Sequence, residues 1–335
     1  MRFLTRFSIA AALVLAGAVP AAAATIKIAT VAPEGTTWMR EMRASADAVK
    51  KATDGRVEIK YYPGGVMGDS ATVLRKIKIG QLQGGAFTGG EATIITLDSQ
   101  AYSVPFLFRT QDEIDKVRVK LDPLVHQQFE KAGYELLGIS GGGFAYLMST
   151  RDIQTRDDLK AAKVWVPQGD RAAEVAFKVA GVSPISLPLS DVYTSLQTGL
   201  IDTAANTTSG AIAFQWHTKL KHMVDLPLTY VVGLIVVDKK TIDALSAEDQ
   251  KALHDAFDAG FARLDKANRE DNASAREALK QQGMSMKTPN ATDMKTWDAV
   301  GTESFKELAD EGSISPEMLK ALNAAVAEVR GGAAK

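Results

Sequence analysis

Trp38, Glu91, Tyr146, Trp165, Gln168, Asn206, Thr207 and Trp216 are the side chains whose types and placement suit a small-molecule site. Each lies on, beside or just beyond a run that reads as a β-strand. In an open α/β sheet, strand ends face a common crevice. Aromatic rings there stack on a ligand, while amides, hydroxyls and carboxylates orient it by hydrogen bonds. This is the chemistry of binding. The densest part of the pattern is Lys163–Trp216, where KVWVPQGD and AANTT flank a helical segment.

Bond-breaking chemistry has no matching constellation. The histidines are His126, His217, His222 and His254. His217 and His222 are five apart, which does not place them on one helix face as i,i+4 metal ligands. They read as surface residues. No G-x-S-x-G elbow and no H-E-x-x-H helix occurs. The loop Pro63–Asp69 lacks the Lys-Ser/Thr ending of a phosphate loop, and the Gly89-Gly90 and Gly141–Gly143 clusters lack dinucleotide spacing. The chain has no cysteine, so thiolate chemistry and disulfides are excluded. Asp157-Asp158 and Glu270-Asp271 sit among Lys and Arg and read as solvated helix faces. No cofactor, metal or catalytic residue is expected.

Alternating elements position these residues. Thr25–Val31, Arg56–Tyr62 and Leu82–Phe87 read as strands, separated by helices from about Trp38 to Lys51 and from Ser70 to Ile79. That order predicts a mainly parallel sheet covered by helices. A helix over Gln111–Ala132 leads to a strand at Tyr134–Ser140. Gly141–Gly143 is expected to break it before a new strand, Phe144–Ser149. Val164–Val166, Val182–Leu187, Ile201–Ala205 and Leu228–Val237 read as strands. Arg171–Ala180, Ser190–Thr198 and Ala211–Leu220 read as helices. A capping pattern at Ser246 opens a helix that runs to Gln282. At 1.5 Å per residue it is about 50 Å long, enough to cross two domains. Met284–Met286 is expected as a short strand, and two further helices close the chain.

The first residues read separately. Arg2 and Arg6 precede the apolar run Phe7–Val19 and the small residues Ala21–Ala24. That is the pattern of a cleavable signal peptide, with residues 1–24 removed on export. A formal net charge of −1 argues against nucleic acid or an anionic membrane as the main partner.

The ordered segments YYPGGVMGDSATVLRKIKIGQLQGGAF, YSVPFLF, TRDIQTRDDLKAAKVWVP, LQTGLIDTAANT and IVVDKKTIDALSAEDQKAL carry a resemblance. The chain resembles DctP-type substrate-binding proteins of TRAP (tripartite ATP-independent periplasmic) transporters over nearly all of its mature length. The resemblance implies an α/β, two-domain periplasmic binding protein fold of the Venus-flytrap type, with a long helix spanning both domains. Residues 25–143 with about 232–262 would form one domain, and 144–231 with about 263–330 the other. It implies a monomeric periplasmic receptor that closes on a solute and delivers it to a permease of small and large membrane subunits. A signalling receptor and an exported enzyme are the alternatives. Most family members carry, at the position of Trp165, an Arg that clamps the ligand carboxylate. Here neither that Arg nor a base in Gly141–Thr150 is present. Either another base such as Arg75 or Arg109 reaches the cleft, or the ligand is not a simple monocarboxylate, or a metal bridges it.

Overall fold

The computed structural model describes residues 23–332; the signal-peptide pattern lies almost wholly outside them. The first half of the chain alternates strand and helix as its hydrophobic periodicity dictates. Strand β1 (Ala24–Ala29) is followed by α1 (Thr37–Ala52), β2 (Val57–Tyr62), α2 (Ser70–Lys78) and β3 (Gly84–Thr88). Two short 3₁₀ turns, Glu91–Ile94 and Leu97–Ser103, lead to α3 (Gln111–Lys131). The helix starts are set by side chains: Thr36, Asp69 and Thr110 accept the N–H of Met39, Thr72 and Glu113. Each such cap contributes about 1 kcal/mol.

Strand β4 spans Tyr134–Ser149 without interruption. The predicted break at Gly141–Gly143 is therefore a bulge within one strand. Gly141 pairs with Val232 and Gly143 with Val231, leaving Gly142 as the extra residue. Gly143 adopts φ +112°, a conformation open to glycine and strained for other residues. The bulge lets one strand serve two bodies of sheet.

Beyond it come α4 (Arg156–Lys160), β5 (Trp165–Pro167), α5 (Arg171–Val179), β6 (Ile185–Leu187), α6 (Val192–Thr198) and β7 (Thr203–Asn206). Asp158, read as solvated, closes a capping box with Thr155 at the start of α4. The expected helix Ala211–Leu220 instead begins earlier and stops early, as α7 (Thr208–Ala213). Gln215 takes a left-handed φ of 61°, and a 3₁₀ turn, Trp216–Thr218, follows. Strands β8 (His222–Val224) and β9 (Thr229–Asp238), then α8 (Lys239–Asp243), lead to α9 (Ala247–Gln281). Strand β10 (Ser285–Lys287) and helices α10 (Ala291–Asp310) and α11 (Pro316–Gly332) complete the chain.

The sheet order is β10-β8-β4-β9-β3-β1-β2, with β7 also paired to β4, while β5 and β6 form a separate pair. β1, β2 and β3 are parallel, as predicted, but β9 runs antiparallel to both β3 and β4. The sheet is therefore mixed. β4 changes partners along its length, from β9 through Ala145 to β7 over Tyr146–Ser149. Two apolar clusters cover the faces of the β1–β3/β9 part, one centred on Ile28, Met42 and Phe257, the other on Tyr102, Phe129 and Leu234. Two more, around Val164, Val175 and Trp297 and around Trp165, Trp216 and Met223, fill the remainder. This is an α/β fold of two lobes joined through shared strands, and the 35-residue α9 packs against both.

Helix α9 is locked to the bulge by one polar face. Asp265, Asn268 and Asn272 recur at helical spacing. Asp265 accepts from the Ser140 hydroxyl at 2.9 Å and the Gly141 N–H at 2.7 Å. Asn268 donates to the Gly141 carbonyl at 3.0 Å and Asn272 to that of Gly142 at 2.7 Å. The buried Arg118 completes the join, bonding Asp265, Asp122 and the Ile139 carbonyl. The backbone groups that the bulge removes from the ladder thus find partners.

Candidate functional site

A cleft of about 860 Å³ opens where the two lobes meet around the β4–β9 crossing. One wall comes from the turn after β1, the start of α1 and the end of β3. The opposite wall comes from β5, α5, the end of β7 and α7, and Asn268, Asp271 and Ala275 of α9 form one side. The walls are mostly apolar, with Trp38, Phe87, Phe177 and Phe214 among them.

The structure brings together five of the residues singled out from sequence: Trp38, Glu91, Trp165, Asn206 and Thr207 all line this cleft. Trp38 stands edge-on to Phe261 at 6.0 Å, and its indole N–H has no protein partner among the described residues. Trp165 is only 4% exposed. Its indole N–H donates to the Leu187 carbonyl at 2.9 Å, and its ring meets Trp216 edge-on at 5.3 Å. Trp165 is thus both a wall residue and a core residue, fixed across the β5–β6 pair. Thr207 caps α7 by accepting the Gly210 N–H at 3.0 Å, and Asn206 accepts the Thr207 N–H at 2.8 Å.

Tyr146, Gln168 and Trp216 are placed elsewhere. Ala145 lines the cleft, whereas Tyr146 lies beneath the Arg276 guanidinium, 5.6 Å from its ring centroid. Gln168 is exposed on the turn after β5. Trp216 is 1% exposed, because the left-handed Gln215 turns it into the core against Trp165 and Phe214. Arg75 and Arg109 are exposed away from the cleft, Arg109 beside Asp298 at 3.6 Å.

Besides Glu91, the charges that face the cleft were not named as site residues from sequence. Asp170 is its most deeply buried carboxylate after Glu91, at 9% and 6% exposure. Asp170 caps α5 through Oδ1, which accepts the Ala173 N–H at 3.0 Å. Burial pushes its carboxyl up to about 6, and the neighbouring Glu91 and Glu174 charges add to the rise. Glu91 accepts from the Ser70 hydroxyl at 2.9 Å and from the Thr88 N–H and hydroxyl at 2.9 and 3.0 Å. Its bonds hold the turn after β3 while its carboxylate still faces the cleft. Asp271, which the sequence assigned to a solvated face, accepts from the Thr37 hydroxyl at the start of α1. The spacing of Asn268, Asp271, Ala275 and Ala278 was the available signal: polar and small residues at i, i+3, i+7 and i+10 describe one helix face. Arg40 donates to Gly35 O at 2.7 Å and to the Thr37 hydroxyl at 2.6 Å at the exposed rim. Glu34, also at the rim, is paired with Arg43 at 2.7 Å. Among the described residues no group of three or more His, Asp or Glu side chains is arranged to hold a metal ion.

Solved structures share this fold. A TRAP periplasmic solute-binding protein from Desulfovibrio salexigens, with bound orotic acid, superposes with a TM-score of 0.85 at 19% identity, covering 91% of this chain and 99% of that one. One from Xanthobacter autotrophicus Py2, with bound β-D-galacturonate, gives 0.83 at 20% identity over 90% and 99%. In sequence, the C4-dicarboxylate-binding periplasmic protein DctP of Rhodobacter capsulatus is 24% identical over 324 residues, 95% of this chain and 96% of that protein. The family model for bacterial extracellular solute-binding protein, family 7, matches residues 28–311. The chain belongs to that family, the DctP family of bacterial extracellular solute-binding proteins.

Proposed function

We propose that this receptor captures a small solute in the cleft between its lobes, closes on it, and delivers it to a TRAP permease of small and large membrane subunits. The observation that carries the reading is the 860 Å³ cleft built by both lobes around the strands that join them. In this reading, residues 25–143 with about 232–262 move against 144–231 with about 263–330, and β4, β9 and α9 flex where they cross. Trp38 supplies an aromatic surface, Asn206 and Thr207 supply polar contacts, and Trp165 shapes the floor. The protein works as an exported periplasmic monomer, and it needs no bound cofactor. The names and titles of similar proteins include C4-dicarboxylates, galacturonate and orotic acid as ligands. The position of Trp165 offers no guanidinium to hold such an anion, and the only base facing this cleft among the described residues is Arg40 at its rim.

Thermal denaturation of the purified chain against a panel of small metabolites tests the reading. A bound solute stabilises the native state by RT ln(1 + [L]/Kd). A concentration-dependent rise in Tm that Trp38→Ala abolishes is expected. Lack of any such rise across a broad panel would sink it.

A further inference from the structure

The charged side chains of the cleft lining are engaged by the chain itself. Glu91 accepts from the Ser70 hydroxyl and from the N–H and hydroxyl of Thr88, Asp170 from the Ala173 N–H, and Asp271 from the Thr37 hydroxyl. Glu34 pairs with Arg43, and Arg40, exposed at the rim, donates to Gly35 O and the Thr37 hydroxyl. The groups left open are neutral. Among the described residues, five buried polar side-chain atoms have no hydrogen-bond partner, and two of them belong to the cleft lining: Trp38 Nε1 and Thr229 Oγ1. Buried polar groups without a partner are rare in folded chains, and each calls for a partner that the protein does not supply.

Strand β9 brings the two together on one wall. Its side chains alternate: Tyr230, Val232 and Leu234 enter the core, while Thr229, Val231 and Gly233 take the opposite face and line the cleft. The Trp38 indole lies against Gly233, where a Cβ would stand 2.6 Å from its Cζ3, and Phe261 meets it edge-on at 6.0 Å. Packing thus fixes the ring and the direction of its N–H. An indole N–H is a donor only, and a threonine hydroxyl can also donate. Thr229 lies four residues before Gly233 on β9, about 13 Å along the strand. The two donors therefore address separate atoms of a solute. Neither is cationic. A carboxylate held by them alone would lose its hydration without a charged partner, beside the Glu91 and Asp170 carboxylates. A carbonyl, ether or hydroxyl oxygen costs far less to desolvate, and one hydrogen bond at each donor offsets that cost.

We infer that the cleft takes an uncharged solute, an apolar or planar body bearing carbonyl, ether or hydroxyl oxygens, and that Trp38 Nε1 and Thr229 Oγ1 are the donors that select it. This rests on the reading of the cleft as the solute site and specifies what that site takes. Trp38 then acts through its N–H as well as its ring, and Thr229 is a specificity residue that the sequence did not single out.

Thermal denaturation of the purified chain and of conservative variants tests it. One small-molecule extract of bacterial cells is divided at neutral pH into three fractions: held by a cation exchanger, held by an anion exchanger, and passed by both. The largest Tm rise is expected from the fraction passed by both. That fraction is then added in increasing amounts to Thr229→Val, which keeps the β-branched shape without the hydroxyl, and to Trp38→Phe, which keeps an aromatic ring without the N–H. Each is expected to need about fivefold more of the fraction, or above, for the same rise, the worth of one hydrogen bond. Thr229→Ser, which restores a hydroxyl, should need less than Thr229→Val. The solute-free chain separates this from structural damage. Thr229→Val removes a hydroxyl that folding leaves without a partner, so its urea midpoint should be no lower than that of the wild type. A larger Tm rise from either retained fraction, an unchanged requirement in Thr229→Val or in Trp38→Phe, or a lowered urea midpoint in Thr229→Val would each overturn the inference and leave the receptor reading standing. No rise from any fraction would overturn both.

Discussion

Asp170 links stability to the cleft. Its carboxyl lies at about 6 in the folded chain against an ordinary 3.8, with burial as the main cause. Below about pH 4 both the folded and unfolded forms hold the proton, and the group has no effect. Between about pH 4 and 6 only the folded form holds it, so stability falls as pH rises. Above 6 the full penalty is present, roughly 3 kcal/mol at most in the solute-free protein. Asp170→Asn should therefore raise the urea midpoint at pH 8 and leave it unchanged near pH 3.5. An equal effect at both pH values would contradict the assignment. In the sequence Asp170 only closes the run KVWVPQGD, and nothing there marks it as a cleft residue. Part of the rise in its carboxyl depends on Glu91, distant in sequence, arriving beside it. Trp165 presents the opposite case. Its position on a cleft strand was legible, but the Leu187 carbonyl and Trp216 ring that immobilise it were not. Trp165→Ala is expected to cost about 3–5 kcal/mol in urea unfolding, and Trp165→Phe about 1–2 kcal/mol, much of it from the lost hydrogen bond. A Trp165→Ala variant of wild-type stability would make the indole a free platform after all.

At the scale of elements, periodicity and caps announced nearly every helix, and the parallel β1–β3 group followed from strand–helix alternation. What they did not announce was β4. Three consecutive glycines read as a stop because glycine weakens a strand; here they are the place where α9 approaches the sheet. A Cβ at Gly138 would lie 2.3 Å from the Phe261 ring, and one at Gly143 would lie 2.6 Å from the Asn272 amide. The glycines therefore admit the helix instead of ending the strand. The 3₁₀ turn at Trp216 was missed for a related reason: helical spacing continued past Ala213, but a left-handed Gln215 interrupts the backbone. Gly138→Ala should destabilise by about 1–3 kcal/mol, the usual range for overpacking. Phe261 also supports Trp38 from behind, at 6.0 Å. Adding Phe261→Leu should recover part of the loss, so the double variant should be less destabilised than the sum of the singles. Strict additivity in urea titrations would show that the strand and helix do not press on each other there.

The whole molecule depends on how two lobes share one sheet. The β4 bulge, β9 and α9 meet beside the cleft, and Asn272 ties them to α7. Its Nδ2 donates to the Gly142 carbonyl, while its Oδ1 accepts from the Ser209 N–H at 3.1 Å and hydroxyl at 2.9 Å, at the start of α7. One amide thus joins the crossing strand to a helix whose residues line the cleft. A lobe that swings as a unit must carry α7 with it, and Asn272 is the direct connection. Asn272→Ala leaves the Gly142 carbonyl and the Ser209 groups without that partner, at about 1–3 kcal/mol. The expected consequence is twofold. Urea unfolding shifts to lower denaturant, and affinity for a stabilising solute falls because α7 is no longer held in the arrangement that the closed cleft requires. Small-angle scattering separates this from a general loss of fold. The wild type should contract when the solute fraction that raises its Tm is added, and Asn272→Ala should contract to the same limiting radius, but at higher solute concentration. A wild-type radius that stays constant through saturation would mean that the lobes do not close, and the cleft would then have to bind as a fixed cavity.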